Sequence, residues 1–199
     1  MSEHIEVEDN EEVVENPEKK STVSYFQYFI DSLKKPDNIL GNEEKGLQTY
    51  GLINLGVLIG LIILSNFFYR IKLFSSVSWL DVGFTTSLTI GIAYAIPIGA
   101  ILYIMSWYAN NHGNKLNISY FFEKLGAAMS LPIALMIISI PITLITINPG
   151  TWIRSLGITF IYIAVFWISY KFASKDNIKV ATIFFAGFYL TYRIINFIF

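Results

Sequence analysis

FFEKLGAAMSLPIALMIISIPITLITIN, residues 121–148, opens on a charged, amphipathic turn and then runs apolar from Leu125 to Ile147. Pro132 and Pro141 interrupt that run, and the small residues Gly126, Ala127, Ala128 and Ser130 precede them. About twenty apolar residues in helical form cross the roughly 30 Å of a bilayer's hydrocarbon. A soluble core helix rarely joins such length to internal prolines. In a membrane bundle, neighbouring helices can satisfy the backbone groups a proline frees. The stretch is therefore expected to be a buried transmembrane helix.

The rest of the chain agrees. Of its 199 residues 54% are hydrophobic and 15% charged, against about a quarter charged in a soluble domain, and the mean hydropathy is +0.52. Apolar runs fall at about 47–69, 82–108, 125–147, 153–172 and 178–199. The expected class is an all-α integral membrane protein, a five-transmembrane-helix bundle. Short connections join the runs: Ile71–Asp81, with Trp79 and Asp81 as an N-cap, the polar loop Ala109–Lys124, a turn at Asn148-Pro149-Gly150, and Ala173–Asn177.

Ahead of the bundle, residues 1–22 hold Glu3, Glu6, Glu8, Asp9, Glu11, Glu12, Glu15 and Glu18. This acidic tail is expected to be disordered, as a solubilising extension or an interaction arm. Residues 23–46 read as an N-terminal interfacial amphipathic helix and a linker. Phe26, Phe29, Ile30 and Leu33 share one face, Gln27, Asp31 and Lys34 the other, and Pro36 stops the helix at Lys35. It lies in the headgroup region or packs on the protein's own cytoplasmic face.

Lysine and arginine set the orientation. With the N-terminus in the cytoplasm, Lys19, Lys20, Lys34, Lys35, Lys45, Lys115, Lys124, Lys171, Lys175 and Lys179 are inside, and Arg70, Lys72, Arg154 and Arg193 are outside. Trp79 and Trp152 mark the outer interface, Trp107 and Trp167 the inner one. The expectation is a plasma-membrane protein with its C-terminus outside. Asn117-Ile118-Ser119 then falls on the cytoplasmic side, where glycosylation does not occur.

Chemistry has little to build on. The chain has no cysteine, and its two histidines, His4 and His112, lie in the tail and a loop. No HExxH, Gly-x-Ser-x-Gly or P-loop pattern occurs. No enzyme activity, cofactor, metal site or nucleic-acid partner is expected. The expected partners are the lipid bilayer and either other membrane proteins or further copies of the chain.

What remains is packing and a few polar residues. Gly83, Ser87, Gly91, Ala95 and Gly99 recur every four residues in the second span, Gly56 and Gly60 form a GxxxG in the first, and Gly126, Ser130 and Ala134 follow in the third. Such stripes let helices approach closely, within one bundle or between copies. Pro97, Pro132 and Pro141 are candidate kinks, static or hinging. Polar residues inside spans are costly and so are functional suspects: Asn54, Asn66, Tyr189, Arg193 and Asn196. Arg193 is near enough to the outer interface to snorkel, and no carboxylate at mid-membrane stands ready to pair with it. Asn54, Arg193 and Asn196 would line the polar path of a small lipid or solute transporter, the alternative to a scaffold.

Three features resemble the Yip1 superfamily, in particular its bacterial five-span branch of unknown function. One is YFQYFIDSLKKP, Tyr25–Pro36, a short amphipathic helix ending in proline ahead of the first span. Another is FFEKLGAAMSLPIAL, Phe121–Leu135, a small-residue helix start followed by Leu-Pro. The last is the five-span plan itself. The resemblance covers nearly all of the chain beyond the tail. It implies the fold and an adaptor-like role. The Asp-Leu-Tyr-Gly-Pro signature of the eukaryotic members, which contact small GTPases, has no match here, and the cysteine-free tail cannot form the zinc ribbon of many bacterial relatives.

Overall fold

The computed structural model describes residues 24–41, 46–73, 79–113 and 116–198. The acidic tail through residue 22 and the linker at 42–45 lie outside the described residues, as do the side chains of Trp79 and Asp81. The described residues are helical and contain no strand: α1 (Tyr25–Lys34), α2 (Pro36–Leu40), α3 (Gln48–Leu73), α4 (Trp79–Asn111), α5 (Ile118–Ala128), α6 (Ser130–Ile145), α7 (Ile147–Ile168) and α8 (Ile178–Ile198). One π-helical turn, Ser169–Ala173, extends α7. Of these, α3, α4, α8 and α7 with its π turn are long and apolar enough to cross a membrane. The pair α5–α6, bent by 42°, makes a fifth if its two limbs count as one span. The protein is thus a helical membrane protein with four or five candidate spans among the described residues.

The helices alternate in direction. The proximal end of the bundle carries α1, the start of α3 and the connection from α7 to α8, and the distal end carries the hairpin between α6 and α7. One apolar core runs between these ends, with Leu58, Leu102, Met105, Phe121, Leu125, Met136, Ile161 and Phe188 all buried.

Several boundaries differ from expectation, each for a local reason. The bend in the third run sits at Met129, not at either proline. Pro132 has no N–H to give Ala128 and its ring crowds that carbonyl, so the helix re-forms just ahead of it. Met129 adopts φ −78° and ψ −5°, closes α5 through Leu125 and caps α6 by accepting from Ile133 at 3.0 Å. Pro132 is then in the first turn of α6, where a missing donor costs little. Pro97 and Pro141 lie inside unbroken helices. Asn148-Pro149-Gly150 is not the hairpin turn: the chain reverses at Thr146 alone, with φ −137° and ψ 126°, and those three residues form the first turn of α7. A Cβ on Gly150 would meet the backbone of Thr143 at 2.6 Å, so this glycine lets the two helices close directly on each other.

Asp81 is the third residue of α4 rather than its cap. The polar loop ends at Asn117, so Glu123 and Lys124 are helical residues of α5. At the N-terminus, α1 docks on the bundle through Tyr28 and Ser32, which are buried, while Phe26 is 72% exposed. Of the face predicted from spacing, Phe29 packs against the core and Ile30 and Leu33 are half-buried, so Phe26 alone of the four stands exposed.

Candidate functional site

Two clusters join buried polar groups of several helices. The first is at the proximal end, around the break between α5 and α6. A break weakens the bonding of the carbonyls beside it, and the Gly126 carbonyl there accepts from the backbone of Met129 at 3.2 Å. Asn54 of α3, fully buried, answers it: its Nδ2 donates to the Gly126 carbonyl at 2.9 Å and to Ser130 Oγ at 3.0 Å. Its Oδ1 accepts from the Tyr25 hydroxyl at 2.7 Å. One side chain therefore joins α1, α3, α5 and α6.

This reach requires backbone contact. A Cβ on Gly126 would collide with the backbone of Gly51, and one on Gly51 with the Phe122 carbonyl, so α3 and α5 touch with no side chain between them. Beside this contact lies an ion pair that the sequence had assigned to a loop. Glu123 and Lys124 are both fully buried, with Lys124 Nζ 3.3 Å from Glu123 Oε1 and 5.1 Å from the Tyr120 ring centroid. Glu123 Oε2 accepts the Leu47 N–H at 2.9 Å. That places a carboxylate at the start of α3, where the helix dipole favours negative charge. The Tyr28 hydroxyl donates to the Glu123 carbonyl at 3.3 Å. Burial first, and the nearby Glu123 charge second, push the Tyr28 phenol well above its ordinary range; burial raises Tyr25 as well.

The second place is a cavity of about 90 Å³ in the distal half of the bundle, lined by Ser65 and Asn66 of α3, Tyr94 of α4, Met136 of α6, Arg154 of α7 and Tyr192 of α8, with isoleucines between them. The Tyr94 and Tyr192 rings lie tilted against each other at 35°, with centroids 4.5 Å apart. The Arg154 guanidinium stands 5.1 Å from the Tyr69 ring centroid. Its Nε and Nη1 are buried with no hydrogen-bond partner, as is Nε of the neighbouring Arg70.

Residues expected to act together do not meet. Asn54 is buried at the proximal end, whereas Arg193 and Asn196 are exposed near the distal end of α8, so these three line no common path. Asn66 is buried on the distal cavity, and Tyr189 is exposed.

The small-residue stripes also divide. A four-residue repeat advances about 40° per step around a helix of 3.6 residues per turn, so Gly83 to Gly99 cannot stay on one face. Gly83 and Gly91 face Phe67 and Ile63 of α3 and Ser87 is fully buried, but Ala95 is half-buried and Gly99 meets nothing within 4 Å. Gly56 and Gly60 also meet nothing within 4 Å. Gly126 and Ser130 lie against α3, with Ala134 half-buried behind them.

Among the described residues no group of histidines and carboxylates could hold a metal ion. Comparison of the chain with protein-family models, with curated proteins and with solved structures finds no match in any of the three.

Proposed function

We propose that this chain is a non-enzymatic membrane scaffold or adaptor, as its resemblance to the Yip1 superfamily implies. In this reading α5–α6 is one bent span, the bundle has five spans in a bacterial cell membrane, and the N-terminus is cytoplasmic with the C-terminus outside. The helix α1 then lies at the inner interface, tied to the bundle by Tyr25 and Tyr28 while Phe26 faces lipid.

The observation that carries the reading is the outward face of α3. Leu52, Ile53, Val57 and Leu64 are exposed there, and Gly56 and Gly60 lie among them with nothing of their own chain within 4 Å. Small residues on an apolar face admit a second helix at backbone distance. The bundle fills that need elsewhere, at Gly51 against Gly126 and at Gly91 against Ile63, so this pair is left over for a partner's helix.

The absence of native cysteine makes the test clean. A single cysteine at Ile53 or Val57, crosslinked in native membranes, is expected to give a discrete adduct with another membrane protein. Leucine at Gly56 and Gly60 is expected to abolish it. An adduct of two copies would make the scaffold a homo-oligomer. No adduct from either position, or flux in liposomes that Arg193→Ala abolishes, would overturn the scaffold reading in favour of transport.

A further inference from the structure

The distal cavity poses a problem of charge. Arg154 lies eight residues beyond the turn at Thr146, or about 12 Å along the helix axis. Two of its guanidinium nitrogens are buried without partners, and so is Nε of Arg70 on the adjacent helix. The groups that act electrostatically on Arg154 are Tyr69, Tyr94, Tyr192 and Arg70: three phenols and a second cation, with no carboxylate among the described residues. Both arginines are half-buried as residues, but cationic N–H groups sealed from solvent without a partner are costly inside a membrane protein. The contact with the Tyr69 ring offsets part of this cost and leaves the N–H groups unsatisfied.

The remaining lining narrows what could satisfy them. Asn66, Tyr94 and Tyr192 are polar but neutral, and the Ser65 hydroxyl donates either to the Ile62 carbonyl at 3.1 Å or to the Met136 sulfur at 3.8 Å, so none of them supplies a balancing negative charge. A volume near 90 Å³ has room for several waters. It suits a compact anionic group and is too small for a bulky solute. Guanidinium groups match phosphate through paired, charge-assisted N–H donors, and the flanking isoleucines suit the apolar surroundings of a headgroup drawn into the bundle. We propose that Arg154, with Arg70 beside it, binds a phosphate group between α3 and α7 at the distal end, carried by a phospholipid headgroup or present as free phosphate.

The full-length protein, purified in a maltoside detergent and stripped of lipid, is titrated separately with short-chain phosphatidylglycerol, inorganic phosphate and a phosphate-free galactosyl diacylglycerol, with thermal unfolding as the readout. A saturable rise in the midpoint is expected with a phosphate-bearing probe and not with the glycolipid. A rise with phosphatidylglycerol alone assigns the site to a headgroup, and a rise with inorganic phosphate assigns it to the free ion. Arg154→Gln is expected to weaken the apparent affinity about tenfold or more, the loss of a charge-assisted pair, and Arg70→Gln to weaken it less. Should Arg154→Gln fail to fold, Arg154→Lys keeps the charge without the fork and is expected to bind measurably more weakly than the parent. Asp81→Asn is expected to leave the titration unchanged. Three results would each overturn the proposal: no rise with either phosphate probe, a rise that survives loss of the Arg154 guanidinium, or a rise seen only after Asp81→Asn, which would make Asp81 the counter-ion.

Discussion

Replacing Asn54 with leucine isolates the bonds that hold the proximal end together. Leucine keeps asparagine's branching and heavy-atom count but is bulkier, so at this fully buried position the lost hydrogen bonds set the least cost and any crowding adds to it. Three are removed: from Tyr25 at 2.7 Å, to Gly126 at 2.9 Å and to Ser130 at 3.0 Å. Interhelical side-chain bonds in membrane proteins average about 0.6 kcal/mol and reach about 1.7. The bond to Gly126 belongs near the top of that range, because it serves a carbonyl at the break between α5 and α6. The expected loss is therefore about 2 to 3 kcal/mol. Tyr25→Phe removes one bond at the half-buried edge and is expected to cost about 0.6 to 1 kcal/mol. Unfolding in mixed micelles, followed by tryptophan fluorescence across a denaturing-detergent titration, reads both. The shared bond makes a further demand: in the Asn54→Leu background, Tyr25→Phe should cost nothing more. The reasoning fails if Asn54→Leu stays within about 0.5 kcal/mol of the parent, or if Tyr25→Phe costs the same in both backgrounds.

The glycines provide a paired test. Gly126→Ala drives a Cβ into the backbone of Gly51, which cannot rotate aside, so the same titration should show a loss of about 1 to 3 kcal/mol. Gly56→Ala adds a methyl in open space and should leave stability within about 0.5 kcal/mol. The pH prediction rests on Tyr28. Its phenol titrates higher in the folded state than in the unfolded chain, so its contribution is complete below the ordinary tyrosine value of about 10 and is lost as pH rises from there toward the folded value. Protease cleavage near α1 should accelerate above pH 10 and not between pH 7 and 9. Tyr28→Phe, which cannot ionise, should weaken that alkaline onset, and Tyr25→Phe with it should remove what remains.

Much of this was legible because hydrophobic length is a strong signal. The runs from Leu47, Val82, Ile153 and Ile178 all fall on long helices, and the Pro132 region does break the third. The misplacements share a cause: local chemistry was weighed without tertiary partners. Asn-Pro-Gly is strong turn chemistry, yet proline and glycine are equally at home in a helix's first turn when the reversal occurs just before them. Moving the turn from Asn148 to Thr146 carried Arg154 from the expected interface into a cavity wall. Glu123 and Lys124 read as loop because charge usually marks solvent, and nothing local announces that a carboxylate will meet the start of a helix 76 residues earlier. Asn54 was flagged by its apolar surroundings, but its partners at Gly126 and Ser130 lie 72 and 76 residues away. Gly51 was missed because it has no small neighbour at the four-residue spacing. Its signal exists only in the helix it touches.

The two polar clusters bear differently on mechanism. In hydrocarbon a polar group must be satisfied, and what satisfies it decides whether it can change. At the proximal end Asn54 spends both amide donors and its oxygen on its own chain, and Glu123 is bonded to both Lys124 and the α3 terminus. To let Asn54 handle a solute, the protein would have to release Tyr25, Gly126 and Ser130 together and part the backbone contact at Gly51. That coupling suits a fixed platform better than a gate, and it favours scaffold over transporter. The distal arginines have no such internal answer among the described residues. A phosphate group binding there would join α3 to α7 and stiffen the end of α3 beyond its exposed glycines. Binding would thus stabilise the bundle as a whole, by mass action on the folded state, without requiring the proximal bonds to open.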